Sequence, residues 1–178
     1  MKTMKTWQDF NAGTGAATTT WNYHANRGWL SGKRYQDNKG PDYTYTAGGR
    51  LKTRTWERGV STTYKYGFDD GTGGNEYGDL KVIDYSDSTP DITFGYDRAG
   101  RRTSAARNGQ TTTFYYNTAG LMTWEVRSDL WNVEWGYDTY LRRNQLILND
   151  NSSLEVEHNY SYDTAGRLQK VYDGNYSA

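Results

Sequence analysis

The sequence lacks cysteine, has little proline and has no excess of charge of either sign. Only 2 of its 178 residues are proline, and its formal net charge is +0. The absence of cysteine excludes a disulfide framework and thiol chemistry. The balanced charge argues against a nucleic-acid-binding protein, which needs a basic face. No apolar run approaches the roughly 18 residues of a membrane-spanning segment, and residues 1–10 show no signal-peptide core.

Large aliphatic side chains are also scarce. Leu, Ile, Val and Phe make up about 13% of the chain, a value typical of disorder when net charge is high and aromatic residues are few. Here 16% of the residues are aromatic, with 17 Tyr and 7 Trp, and 20 residues are glycine. Because aromatic rings bury large areas, the composition indicates an ordered chain that is rich in turns.

A short pattern recurs along the chain. It consists of an aromatic residue, any residue, a second aromatic residue and a short polar residue. The second aromatic residues are Tyr23, Tyr45, Phe68, Tyr96, Tyr116, Tyr137 and Tyr162. The copies lie about 23 residues apart, which indicates a repeat protein. A glycine follows in most copies, and Leu141 replaces it in one.

Each copy is predicted to form a β-hairpin. Apolar and polar residues alternate before the pattern, for example over 131–137, as they do in strands. An Asp or Asn three residues before a glycine favours a tight turn. The predicted structural turn residues are Asp69, Asp97, Gly100, Asn117, Gly120, Asp138, Asp163 and Gly166. Two turns per copy predict an all-β fold of about fourteen antiparallel strands. Residues 1–20 are expected to be the tail of a preceding repeat, and 21–178 a single array of seven repeats.

The sequences of two copies resemble the repeat of a known family. Residues 96–101 (Tyr-Asp-Arg-Ala-Gly-Arg) and 162–168 (Tyr-Asp-Thr-Ala-Gly-Arg-Leu) are similar to the YD repeat, also called the RHS (rearrangement hotspot) repeat. The resemblance covers about residues 21–178. It implies antiparallel hairpins joined into a curved, spiralling sheet, here an open segment of a hollow shell or barrel. Neither Pro41 nor Pro90 follows an aspartate, so the family's Asp-Pro self-cleavage motif is not in this chain.

The resemblance also implies a function and a location. In this family, large secreted or cell-surface bacterial proteins enclose a toxin in the repeat shell. The chain is therefore expected to be a non-enzymatic structural scaffold, whose partners are other repeats or an encapsulated polypeptide. An exposed first or last strand also predicts self-association by edge pairing.

A carbohydrate-binding surface module is the alternative function. Trp56 and Trp124 follow the glycine step in their copies and are predicted to present exposed platforms to sugar rings. No catalytic residue, metal or cofactor is predicted. The two histidines, His24 and His158, have turn or packing positions, and the oxygen-rich segment 69–79 does not match the spacing of a Ca²⁺ loop.

Overall fold

The fold was analysed in a computed structural model that describes residues 2–67, 78–128, 131–150 and 153–174. These residues contain fifteen strands and no helix. The predicted all-β fold of antiparallel hairpins is thereby confirmed. The chain divides into two compact units, Met1–Ile92 and Thr93–Ala178.

The first unit contains seven strands, and each pairs antiparallel with the next along the chain. They are β1 (Thr3–Thr6), β2 (Ala17–Tyr23), β3 (Leu30–Arg34), β4 (Asp42–Tyr45), β5 (Leu51–Thr55), β6 (Ser61–Tyr66) and β7 (Leu80–Tyr85).

The second unit follows the same plan. Its strands are β8 (Ile92–Tyr96, which begins at the last residue of the first unit), β9 (Arg102–Arg107), β10 (Gln110–Tyr116), β11 (Met122–Arg127), β12 (Trp131–Tyr137), β13 (Arg143–Asp150), β14 (Ser153–Tyr162) and β15 (Leu168–Asp173). From β9 onward, each strand pairs antiparallel with its successor. The pairing of sequential neighbours follows from the short turns between them.

In six copies the pairing register shifts at the tyrosine that ends the first strand of the hairpin. The shift falls immediately before Tyr23, Tyr45, Tyr66, Tyr116, Tyr137 and Tyr162. The sequence pattern placed Phe68 at this position in the third copy, but the structure places Tyr66 there, and Phe68 lies outside the described residues. A bulge bends its strand and increases the local twist, so the repeat carries its own bend.

The strand register assigns the side chains of the second unit to two faces. Residues directly opposite each other on paired strands share a face. We call the face that carries Tyr116, Tyr137 and Tyr162 the tyrosine face. It also carries Phe114, Glu125, Trp131, Val133, Trp135, Leu146, Leu148, Val156, His158, Tyr160, Val171 and Asp173. The opposite face carries Tyr115, Trp124, Val126, Asn132, Glu134, Gln145, Ile147, Asn149, Glu157, Asn159, Lys170 and Tyr172, so each face combines apolar and polar side chains.

The described residues contain no hydrophobic side chain that is fully buried. The buried polar residues are Thr46 and Thr62, which are 3% and 5% exposed. Among the described residues no second layer of structure packs against the strands, so even their apolar side chains are only partly buried. Strand ladders and half-buried aromatic rings therefore supply most of the stability of this part of the chain.

Candidate functional site

The Asp-x-x-Gly turn uses both oxygens of its aspartate. Oδ1 of Asp97 accepts hydrogen bonds from the backbone N–H of Ala99 at 2.9 Å and of Arg101 at 3.0 Å. Oδ2 accepts from Nε of Arg101 at 2.7 Å. The backbone N–H of Gly100 donates to the carbonyl of Asp97, which closes the turn. One side chain thus fixes the turn backbone and the arginine that follows it.

The same turn recurs in other copies. Asp138 and Asp163 each accept two backbone hydrogen bonds and one from Nε of the arginine four residues later. Asn117 keeps the bond to the backbone N–H of Leu121 at 2.9 Å, although no arginine follows it. Asp69 lies outside the described residues.

The left-handed backbone of the turn explains its glycines. Gly100, Gly120 and Gly166 have φ values of 77°, 83° and 79°, a region that other residues enter only with steric strain. Leu141 occupies the same position with φ 63°, and its side chain is 54% exposed. The backbone of Leu141 is therefore strained, and because more than half of the residue is exposed, burial of its side chain compensates for little of this strain.

Replacing Leu141 with glycine is expected to stabilise the chain. The left-handed conformation costs a residue with a Cβ about 1–2 kcal/mol, whereas glycine loses about 0.5–1 kcal/mol of chain entropy. Leu141→Gly should therefore raise the free energy of unfolding by about 0.5 kcal/mol in urea titrations. Leu141→Ala is the control, because it keeps the strain and should not stabilise. A Leu141→Gly variant less stable than the wild type would contradict this account.

The turn aspartates make stability depend on pH. The backbone N–H of Arg101, followed by its guanidinium, holds the pKa of the Asp97 carboxyl below its usual value. The backbone N–H and guanidinium of Arg167 lower the pKa of Asp163 in the same way. Because these pKa values are lower in the folded chain, the stability they contribute is present above the unfolded value of about 3.9 and is lost as pH falls through the folded pKa.

Melting temperatures measured between pH 6 and pH 2 test this dependence. The double variant Asp97→Asn, Asp163→Asn should show a shallower decline below about pH 4 than the wild type. Asparagine preserves the backbone bond, as Asn117 shows, but it does not titrate. Equal slopes for the two proteins would exclude these carboxylates as the source.

Five tyrosine hydroxyls each donate a hydrogen bond to a carbonyl of the preceding hairpin. Tyr116 donates to the carbonyl of Arg102 at 2.8 Å, Tyr137 to that of Met122 at 2.8 Å, and Tyr162 to that of Arg143 at 2.7 Å. In the first unit, Tyr45 and Tyr66 donate in the same way to Leu30 and Leu51, both at 2.8 Å. Burial raises the pKa of both Tyr45 and Tyr66, so their hydroxyls remain protonated donors at neutral pH.

The arginine after the turn lies over the tyrosine of the next hairpin. The guanidinium of Arg101 is 4.7 Å from the ring centroid of Tyr116, and that of Arg142 is 4.4 Å from that of Tyr162. Arg50 lies 5.2 Å from Tyr66. We call this arrangement the inter-repeat junction: an arginine of one copy, the tyrosine of the next, and the carbonyl that accepts the tyrosine hydroxyl. Cation–π and hydrogen-bond terms together couple neighbouring repeats.

The structure gives the two predicted platform residues different surroundings. Trp56 follows β5 and is 36% exposed, but the guanidinium of Arg54 lies 3.4 Å from its ring centroid. One face of this ring is therefore already occupied. Trp124 on β11 is 41% exposed and lies on the face opposite the tyrosine face, across from Glu134.

Trp124 has an aromatic partner that the sequence analysis missed. The ring of Tyr115, 48% exposed, lies 5.7 Å from that of Trp124 with an interplanar angle of 43°. The signal was present in the sequence, because Tyr115 directly precedes the pattern residue Tyr116 and must therefore point to the other face. Its neighbours on this face are both polar and aliphatic, among them Glu134, Val126 and Ile147.

Together these features define an antiparallel β-hairpin repeat protein with a coupled tyrosine ladder. No protein-family model and no curated protein matches the chain. Solved structures do match. The Photorhabdus luminescens Tc holotoxin pore aligns with a TM-score of 0.66 at 14% identity, over 95% of this chain and 12% of that one.

Two further structures come from a TcdB2-TccC3 complex. One has a TM-score of 0.53 at 12% identity over 93% of this chain. The other, described as lacking a hypervariable C-terminal region, has a TM-score of 0.51 at 12% identity over 94% of this chain. The chain spans only 13% and 11% of those solved chains. These likenesses show the fold, a sheet of sequential antiparallel hairpins, which agrees with the fold that the YD-repeat (RHS) resemblance implies.

In the part of the chain that the structure describes, no helix is long and apolar enough to cross a membrane. Most of the oxygen-rich segment 69–79 lies outside the described residues.

Proposed function

We propose that the chain is a non-enzymatic scaffold: a wall segment of a YD-repeat shell that encloses or displays another polypeptide, outside the cell or at its surface. The observation that carries this proposal is the tyrosine face. It carries aromatic and aliphatic side chains beside a few charged ones, yet the described residues include no hydrophobic side chain that is fully buried. Exposed apolar groups on such a face are stabilised when another surface covers them.

The solved neighbours support a polypeptide as the covering partner. They belong to Tc toxin complexes, and one is described by the absence of a hypervariable C-terminal region. We expect the covering chain to place apolar side chains over these rings and polar ones over Glu125 and the His158–Asp173 pair.

Two tryptophans of equal exposure provide a matched test. Trp131 lies on the tyrosine face and is 40% exposed, whereas Trp124 lies on the opposite face and is 41% exposed. The probe is a fluorescent, reduced and carboxymethylated lactalbumin, which remains unfolded. Trp131→Ala should weaken its binding several-fold, whereas Trp124→Ala should leave binding unchanged. Absence of binding, or equal loss in both variants, would contradict the proposal.

A second function, carbohydrate binding, is favoured by one observation. The Tyr115–Trp124 pair is exposed on the face opposite the tyrosine face, beside Glu134, and an aromatic platform with a nearby polar group is a common ligand site. A glycan array tests this candidate with the same two variants. A hit lost in Trp124→Ala and retained in Trp131→Ala would establish it, and a silent array would remove it. Trp56→Ala serves as a further comparison, because Arg54 covers that ring.

A further inference from the structure

A cavity of about 570 Å³ lies between the turn that follows β2 and the turn that follows β4 in the first unit. Its volume is within the range of small-molecule sites, about 300–1,000 Å³. Trp29, Tyr43 and Tyr45 contribute three aromatic rings to its wall, and Arg27 and His24 contribute basic groups. None of the described residues that line it is acidic.

Both turns beside this cavity lack the aspartate of the other copies. The backbone N–H of His24 donates to the carbonyl of Trp29 at 2.7 Å, as that of Asp97 donates to the carbonyl of Arg101 at 2.9 Å. His24 and Trp29 therefore occupy the positions of the turn aspartate and the turn arginine. Thr46 occupies the aspartate position in the next copy. The cavity is thus free of the two carboxylates that would repel an anion.

The arginine of this copy lies at a different position and has no acidic partner among the described residues. The ring of Trp29 lies 5.2 Å from that of Tyr45, where other copies place an arginine over the tyrosine. The guanidinium of Arg27 lies 4.7 Å from the ring centroid of Trp29, and its Nη1 donates to the carbonyl of Ala47 at 2.7 Å. These two contacts fix the guanidinium and leave most of its N–H donors available to a ligand.

A basic cavity with aromatic walls favours a small anion that carries a flat ring. A guanidinium binds a carboxylate through two parallel hydrogen bonds, and aromatic side chains pack well against a second aromatic ring. The hydroxyls of Thr44 and Thr53 bond to each other at 2.6 Å, and the hydroxyl oxygen of Thr46 accepts from the backbone N–H of Arg50 at 3.2 Å. Because two hydroxyls on the cavity wall are already engaged, an apolar ring fits better than a sugar ring.

We propose that this cavity binds a small aromatic carboxylate, with the carboxylate on Arg27 and the ring among the three aromatic side chains. Because Trp29 and Ala47 already hold the guanidinium in place, little side-chain entropy is lost when the ligand binds. The site consists of residues of the first unit alone. It therefore depends neither on the covering polypeptide nor on the candidate carbohydrate site.

Isothermal titration of the whole chain with 2-naphthoate should show saturable binding. Two probes separate the contributions of ring and charge: 2-naphthalenemethanol has the same ring without the charge, and acetate has the charge without the ring. Each should bind at least about tenfold more weakly than naphthoate. Arg27→Gln should weaken naphthoate binding about tenfold and leave binding of the neutral alcohol unchanged. Arg98→Gln is the control, because it removes an exposed turn arginine of the second unit and should change neither.

Other results would overturn this assignment. Absence of saturable binding at millimolar naphthoate, or equal affinity for naphthoate and the neutral alcohol, would exclude a site built around Arg27. Tighter binding of glucuronate than of naphthoate would exclude aromatic acids as the ligand class. Loss of naphthoate binding in Trp124→Ala but not in Arg27→Gln would place the ligand outside this cavity.

Discussion

Gly40→Ala is expected to lower the free energy of unfolding by about 3 kcal/mol or more, because it combines backbone strain with an overlap that cannot relax. Gly40 has φ 149° and is buried. A Cβ at this position would overlap the carbonyl oxygen of Lys33, which belongs to β3 and is therefore held in the sheet. Denaturant titration followed by tryptophan fluorescence measures the loss.

Gly59 offers a matched control for this effect. It has φ 84°, but a Cβ there would meet nothing within 4 Å. Gly59→Ala should therefore cost only the conformational strain, about 1 kcal/mol. Equal destabilisation by the two substitutions would show that close approach of the Lys33 backbone contributes nothing.

Removing three hydroxyl groups from the tyrosine ladder is expected to have an effect of similar size. Tyr116→Phe, Tyr137→Phe and Tyr162→Phe each preserve the ring but remove the donor to a carbonyl of the preceding hairpin. Each bond contributes about 1 kcal/mol, and sites on separate hairpins should add, so the triple variant should lose about 3 kcal/mol. Hydrogen exchange should increase along the strands that these bonds join.

A second triple variant separates the ladder from a general effect of losing hydroxyl groups. Tyr115, Tyr140 and Tyr172 are 48%, 78% and 46% exposed and are not donors in the ladder. Their replacement by phenylalanine should change stability by less than about 0.5 kcal/mol per site, as for other surface substitutions. If both triple variants were equally destabilised, the inter-repeat bonds would not be what couples the hairpins.

Coupling between neighbours has a consequence for the array as a whole. In repeat proteins, stability is close to a sum of terms within each repeat and terms between adjacent repeats. Here the turn bonds of Asp97 lie within one copy, whereas the Tyr116 hydroxyl bond joins two. Arg101 takes part in both, through Asp97 and the ring of Tyr116. Its position links the order of a turn to the docking of the next strand.

The strands and their turns could be predicted because their causes are local. Alternation over 131–137 specifies a strand with two unlike faces, and the register places Trp131, Val133 and Trp135 together on one of them. An aspartate side chain reaches only the next few backbone groups. The turn at Asp97 is therefore determined by residues adjacent in the sequence. The exception is the third copy, where the pattern placed Phe68 and the structure uses Tyr66, whose hydroxyl bonds to Leu51.

By itself, the sequence determined the all-β class, the repeat and the turn chemistry, because each depends on residues a few positions apart. The tertiary structure alone decided which groups meet between strands: the tyrosine hydroxyl with a carbonyl one hairpin back, Trp124 with Tyr115, and Arg54 with Trp56. These contacts depend on strand register and on bulges, and a shift of one residue would send every side chain to the other face. A repeat pattern specifies that strands form and turn, whereas their pairing in space determines which side chains are free to bind.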